Sequence, residues 1–325
     1  MFSIIIPLYN KAGYIEKALY SVLNQTYREF EVIIVNDGST DDSLKNLQFV
    51  IRTIQAGELK LSDKIKVIDQ KNQGVSTARN NGVKAARYNY IAFLDADDWW
   101  EPTYLEEMKK LIDEFPTAGI YGSSYYKVKA GKNICAKTGV DSGFERGLID
   151  YFKAYSISLW MPLWTCSTII KKEVFESENG FKPKLKLGED FDLWMRVALK
   201  FPVALINKPL AFYNQDVEIN NRALGKLYPP EEHILWNLNF LKEEEKKNTY
   251  LKQLLDNLRT YGLLEYYLSK NYRSVAKQEL NKVNWSNQPK KMVAKYKRPI
   301  FLLKLSADFM SVGSKVKKIV QLIIH

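Results

Sequence analysis

The chain has 325 residues, 46% of them hydrophobic and 13% aromatic, which is ample for a sizeable core and excludes a disordered chain. Two cysteines, Cys135 and Cys166, cannot build a disulfide framework, and two histidines, His233 and His325, leave little basis for zinc or imidazole chemistry. The net charge of +11 is uneven: from Lys290 onward nine lysines and arginines face Asp308 alone, so this tail carries +8 on a near-neutral body, which suits an anionic surface near the tail rather than nucleic acid along the whole protein.

Phe2-Ser3-Ile4-Ile5-Ile6-Pro7 opens the chain as a buried strand over 2–8. No basic segment leads into a long apolar run, so a cytoplasmic protein is expected, and no stretch approaches the ~20 apolar residues of a membrane span. Apolar residues at helical spacing predict a helix from Tyr14 to Leu23. A second strand over 31–35 closes in Asn36-Asp37-Gly38-Ser39-Thr40-Asp41, where Ser39 or Thr40 can cap the next helix with Asp41 and Asp42 in its first turn. A strand over 65–68, a helix over 75–86 and a strand over 90–94 follow, the last running into Asp95. Pro102 opens another helix that ends near Phe115. This alternation is that of an α/β sheet.

After residue 118 the pattern loosens into short aromatic-rich β segments around 119–128 and 164–170. A helix over 187–199 begins at Gly188-Glu189-Asp190. From Pro229 onward Leu, Lys and Glu dominate, predicting helical segments near 231–247, 249–269, 271–282 and 291–323. The expected organisation is an α/β catalytic domain over 1–215 and a helical C-terminal region over 216–325.

Ligands of an open α/β sheet bind beyond the carboxyl ends of its strands. Strand one ends in Pro7-Leu8-Tyr9-Asn10, strand two in Asn36-Asp37-Gly38, and strand four in Asp95-Ala96-Asp97-Asp98. Such a rim can stack a base on Tyr9, accept a base or ribose hydrogen bond at Asp37 and hold a hard cation at Asp97. Neither a dinucleotide-binding G-x-G-x-x-G nor a P-loop is present.

Those stretches, with Ser21-Val22-Leu23-Asn24-Gln25-Thr26, Asn72-Gln73-Gly74-Val75-Ser76-Thr77-Ala78-Arg79-Asn80 and Gly188-Glu189-Asp190-Phe191-Asp192-Leu193-Trp194-Met195-Arg196, occur in an order that resembles the family 2 glycosyltransferases of the GT-A fold. The resemblance covers roughly 1–215. It implies an inverting, metal-dependent, nucleotide-sugar-dependent transferase. In it Pro7, Tyr9 and Asp37 face the nucleoside, Asp95 lies near the ribose or donor sugar, and Asp97 binds a Mn2+ or Mg2+ that bridges the diphosphate. It also implies a UDP-sugar donor, a bacterial surface-glycan acceptor, lipid-linked in many members, and Asp190 as the base that deprotonates the acceptor hydroxyl. Processive members carry Gln-x-x-Arg-Trp and membrane spans; neither occurs here, so one addition per encounter is expected.

Each of these residues has a structural reading too. Asp37 fits a turn, Asp95 and Asp97 fit helix caps, and Asp98 fits a cap of the Pro102 helix. Glu189 and Asp190 fit first-turn acids. Arg79 either contacts donor or stabilises loops beneath it. Tyr9 fits a strand-end core aromatic; Trp100, Trp160 and Trp164 fit either core or an acceptor platform. His233 and His325 read as surface residues, Cys135 and Cys166 as small core hydrophobes. In the tail, Phe301, Leu305, Phe309, Val312, Val316, Ile319, Val320 and Ile323 form a stripe flanked by lysines. It suits an amphipathic helix on the inner face of an anionic plasma membrane, or packing on the protein's core or a partner. The rival functions are nucleotidyl transfer and a non-catalytic nucleotide-sugar-binding or assembly scaffold.

Overall fold

The computed structural model describes residues 1–56, 62–217 and 226–303. Strand β1 (Phe2–Leu8) is buried at every position, with no solvent-facing alternation. A strand of that kind must be covered on both faces, as in the middle of a parallel sheet. It pairs in parallel with β2 (Phe30–Asp37), which pairs in parallel with β3 (Ile65–Gln70). On its other side it pairs in parallel with β4 (Tyr90–Phe93), in a register that ends at Ile5 opposite Phe93. That early end explains a proline in a central strand. The Ile5 carbonyl points toward β4 and accepts from Leu94. Pro7, two residues on, points the same way beyond the ladder, where its missing N–H is not needed.

Helices cover both faces. In α1 (Ile15–Leu23) the buried side is Ile15, Ala18, Leu19, Val22 and Leu23, one helical stripe. The helix α2 (Ser43–Ala56) starts later than its acids: Asp41 precedes it and accepts from the Ser43 N–H at 2.9 Å, so neither Asp41 nor Asp42 lies in the first turn. Helix α3 (Val75–Ala85) lies close on β1 and β2 because Gly82 has no side chain; a Cβ there would meet Ile5 Cγ2 at 2.4 Å. Helix α4 (Tyr104–Glu114) follows the short strand β5 (Trp99–Trp100).

The sheet then continues through β6 (Ile120–Lys129), β7 (Lys132–Cys135), β8 (Arg146–Ile149), β9 (Thr168–Lys171) and β10 (Val203–Asn214). Its order is β3-β2-β1-β4-β9-β6-β10-β5, with β7 against β6 and β8 against β10. Between these strands lie α5 (Tyr151–Ser158), α6 (Lys172–Ser177) and α7 (Glu189–Ala198). This is the expected mixed α/β sheet with flanking helices.

Two compact units divide the chain, Met1–Asn237 and Leu238–His325. The first extends past the end of β10. The second contains α8 (Lys242–Lys247), α9 (Thr249–Gly262), α10 (Leu264–Leu268), α11 (Arg273–Leu280) and α12 (Lys290–Lys297). Its internal frame is polar as well as apolar: Arg259, 3% exposed, pairs with Glu245 at 2.5 Å. Instead of one helix over 231–247 there are 3-10 turns at Pro230–Glu232, Ile234–Trp236 and Asn239–Leu241 before α8. Helix α12 stops at Arg298, extended as a residue before proline is biased to be. Residues 304–325, most of the amphipathic tail, and His325 lie outside the described residues. No helix among the described residues is long and apolar enough to cross a membrane.

Candidate active site

The turn after β1 is locked to the turn after β2. Asn10 adopts a left-handed φ of 50°. Its side-chain oxygen accepts from the Thr40 N–H at 2.8 Å, and its own N–H donates to Ser39 Oγ at 3.2 Å. Lys11 N–H donates to Ser43 Oγ at 2.7 Å and Ala12 N–H to Asp41 at 3.2 Å. Tyr9 stands at the rim, 45% exposed, not in the core. Asp37, at the end of β2, is 2% exposed. Its carboxylate accepts from Gln70 Nε2, Gln73 N–H and Gly74 N–H, each at 2.8 Å, and so holds the 70–74 loop that leads into α3.

The turn after β4 carries the acids. Ala96 turns its methyl into the core and can meet a ligand only through its backbone. Asp97 faces Lys11 Nζ at 2.6 Å. Burial raises the Asp97 pKa, Lys11 opposes that, and Asp95 adds to it. Asp98 is not a cap of the next helix. It is 2% exposed and accepts from the Asn214 N–H at 2.8 Å, tying the turn to β10. Its other oxygen has no hydrogen-bond partner, and burial, then Asp97 and Asp95, push its pKa well above the carboxylate range. Among the described residues no three acids, histidines or cysteines form a metal cage. Asp97, with Asp95 beside it, fits a hard cation that takes one or two carboxylates and completes its shell with phosphate oxygens.

One buried guanidinium joins this turn to α7. Arg79, on α3, pairs with Asp95 at 2.7 Å and Glu189 at 2.9 Å while 4% exposed. Burial works against its charge, but Asp95 and Glu189 outweigh it and raise its pKa above the ordinary arginine value. Glu189 is pushed up to about 7, by burial first and by Asp190 second, against Arg79. Asp190 accepts from Thr165 Oγ1 at 2.8 Å and from the Phe191 N–H at 2.7 Å. Helix α7 is anchored behind them by Asp192, fully buried, with Lys182 and Arg196 both at 2.7 Å. It begins at Gly188, whose φ of 83° and 2.4 Å approach of a built Cβ to Ile234 Cγ2 admit no other residue without a shift.

The ion pairs join Asp95 to Glu189 through Arg79, while Asp97 pairs with Lys11 and Asp190 is held by Thr165. Asp37 and Asn10 are used as loop clamps, and Pro7 lies within β1. Lys11 and Thr165 were not singled out from sequence. A lysine directly after a strand-end Tyr-Asn, on a rim rich in acids, is the signal that was there for Lys11; a lone threonine carries none.

The aromatic residues divide. Trp100 is core, stacked on Tyr104 with centroids 4.2 Å apart and donating to the Cys166 carbonyl at 2.6 Å. Trp160 and Trp164 stack on each other at 5.7 Å against the core. His233 is buried rather than on the surface, accepts from the Leu235 N–H at 3.1 Å, and burial lowers its pKa to about 4. Cys166 is buried as expected, whereas Cys135 is exposed on the β7 hairpin.

Residues 3–162 match the family described as Glycosyl transferase family 2. The chain is similar to an uncharacterized glycosyltransferase of Rickettsia conorii, 34% identical over 210 residues, covering 64% of this chain and 32% of that protein. It spans about a third of the length of this and two further Rickettsia relatives. S. aureus TarS 1-349, solved with UDP-GlcNAc, has a similar fold at a TM-score of 0.68 and 21% identity, covering 86% of this chain and 79% of that one. The mannosyltransferase PcManGT from Pyrobaculum calidifontis, solved with GDP-Man and Mn2+, superposes at a TM-score of 0.50 with 16% identity, covering 88% of each chain. Residues 3–162 thus belong to the family 2 glycosyltransferases, and the sheet that contains them has the GT-A fold.

Proposed function

We propose that the protein transfers a sugar from a nucleotide-sugar, a UDP-sugar first, to an acceptor hydroxyl with inversion at the anomeric carbon. The observation that carries this is Arg79, which joins Asp95, at the mouth of the strands, to the start of α7, where Asp190 lies. This arginine supports reading the donor residues and the base as neighbours. The UDP-GlcNAc bound by TarS supports a uridine nucleotide, and the Mn2+ bound by PcManGT supports a cation.

In this reading Pro7, Tyr9, Asn10 and Asp37 shape the nucleoside pocket, and Asp95 with the Ala96 backbone faces the donor sugar. Asp97 would hold Mn2+ or Mg2+, which when bound would neutralise charge on the leaving diphosphate in place of an acid. Asp190 takes the acceptor proton. Thr165 and the Phe191 N–H each hold one oxygen of its carboxylate, which fixes its orientation. Base removal is typically worth ~10²–10⁴ in rate. Glu189 has a pKa near that of an ideal base, but Arg79 occupies its oxygen at 2.9 Å. It acts as the partner that orients Arg79.

The acceptor is a glycan or lipid-linked glycan, with one sugar added per encounter. The basic tail over 290–325 brings the protein to an anionic membrane surface on the cytoplasmic side; nucleic acid is no partner. Division into a catalytic part and a helical part near 215 belongs to the same proposal. Asp190→Asn and Glu189→Gln variants test the assignment with nucleoside diphosphate release in a panel of glycoside and polyprenyl-linked acceptors. Asp190→Asn should keep donor-induced thermal stabilisation and lose ~10²–10⁴ in transfer. Full transfer by Asp190→Asn contradicts the base assignment.

A further inference from the structure

Lys11 stands where a metal would have to come. Its backbone is fixed, since its N–H and that of Ala12 are held by Ser43 and Asp41 and the Ala12 carbonyl accepts from Asn46 at 2.9 Å. The left-handed turn at Asn10 directs the chain so that the Lys11 ammonium reaches Asp97 Oδ2 at 2.6 Å. Both side chains are largely removed from water, at 15% and 17% exposure. Arg79 neutralises Asp95 but is not within ion-pair reach of Asp97, so the charge on Asp97 is met by Lys11.

An oxygen that receives an ammonium this closely cannot also bind a divalent ion without placing two cations against each other in a poorly solvated pocket. The ammonium must leave first. A diphosphate gives it somewhere to go, because it offers several anionic oxygens at the same rim. The Tyr14 ring lies 5.9 Å from Nζ.

We propose that Lys11 is a built-in counter-cation that withholds Asp97 from divalent metal until a nucleoside diphosphate draws the ammonium away. Metal and nucleotide then bind cooperatively, each tightening the other by the same factor. The inference rests on the reading of Asp97 as the metal-holding residue.

The test is Mn2+ binding to the full chain, followed by loss of the free-ion electron paramagnetic resonance signal, with and without UDP. In the wild type UDP should tighten Mn2+ at least tenfold. Lys11→Met should bind Mn2+ without UDP at least tenfold more tightly than the wild type, with a reduced response to UDP. Adding Asp97→Asn to Lys11→Met should abolish that gain, and Lys11→Arg should restore the wild-type weakness. Thermal melts confirm that each variant is folded. Equal Mn2+ affinity of wild type and Lys11→Met without UDP, including no binding by either, overturns the proposal. UDP that changes nothing in the wild type while Lys11→Met still gains Mn2+ refutes the nucleotide-donor reading and supports the competition at Asp97.

Discussion

Replacing Arg79 by methionine removes the buried cation between Asp95 and Glu189 while keeping an apolar stem against Phe181, whose ring lies 5.2 Å from the guanidinium. Removing one partner of a buried ion pair costs about 3–5 kcal/mol when the other stays charged. Two features reduce that here. Asp95 is 29% exposed and can be solvated, and Glu189, already pushed up to about 7, escapes its charge by taking a proton. We therefore expect a loss of about 2–4 kcal/mol at pH 8 and a smaller loss at pH 5.5. For a unit of this size that lowers the melting temperature by roughly 5–15 °C. Scanning fluorimetry at both pH values measures it. A double-mutant cycle with Glu189→Gln should return a coupling of at least about 1 kcal/mol. A variant that melts within about 1 °C of the wild type at both pH values, or a cycle without coupling, refutes the bridging role.

Gly188→Ala should lose about 1–3 kcal/mol from its left-handed backbone and the contact with Ile234, measured by urea unfolding, and Ile234→Ala should recover part of it. Asp37→Asn turns an amide donor toward N–H groups that now find an acceptor; a loss of about 1.5–3 kcal/mol and faster hydrogen exchange at 71–74 are expected, and unchanged exchange counts against the clamp. Glu189 keeps its proton in the folded state up to about 7 but gives it up near 4.5 when unfolded. Between those values the folded state holds more protons, so its contribution to stability is present below pH 4.5 and lost as pH rises through about 7. Urea midpoints across that range should show the decline in the wild type and a flatter course in Glu189→Gln; identical slopes contradict it.

The central strands were legible because β1 carries Ile4-Ile5-Ile6 and β2 carries Val32-Ile33-Ile34-Val35, and such apolar runs mark buried strands in an α/β protein. Their boundaries also located the rim, since Asp37 and Asp95 follow directly from where the runs stop. The stretch 143–162 was not legible. Strand β8 and helix α5 lie there, and their few residues carry too short a pattern for either period to show. Asp98 was misplaced because capping is a local rule, whereas its partner, Asn214, is 116 residues away. His233 was misplaced for a similar reason: its burial comes from the parallel bridge to Leu187, a contact without local signature. The helix expected over 231–247 is broken into three short 3-10 turns before α8. Within the proposed site, the link from Asp95 through Arg79 to Glu189 had no sequence signal, because the Arg79–Glu189 pair spans 110 residues.

The central claim is that this rim binds a nucleotide-sugar with a divalent cation. Isothermal titration of the full chain with UDP-, GDP- and TDP-sugars, each with and without Mn2+, tests it most directly. The account predicts saturable binding of at least one donor, UDP-sugars first, tightened by Mn2+ and weakened at least tenfold by Asp97→Asn. Binding of none of the three in the presence of Mn2+, or donor affinity indifferent to both Mn2+ and Asp97, would contradict it.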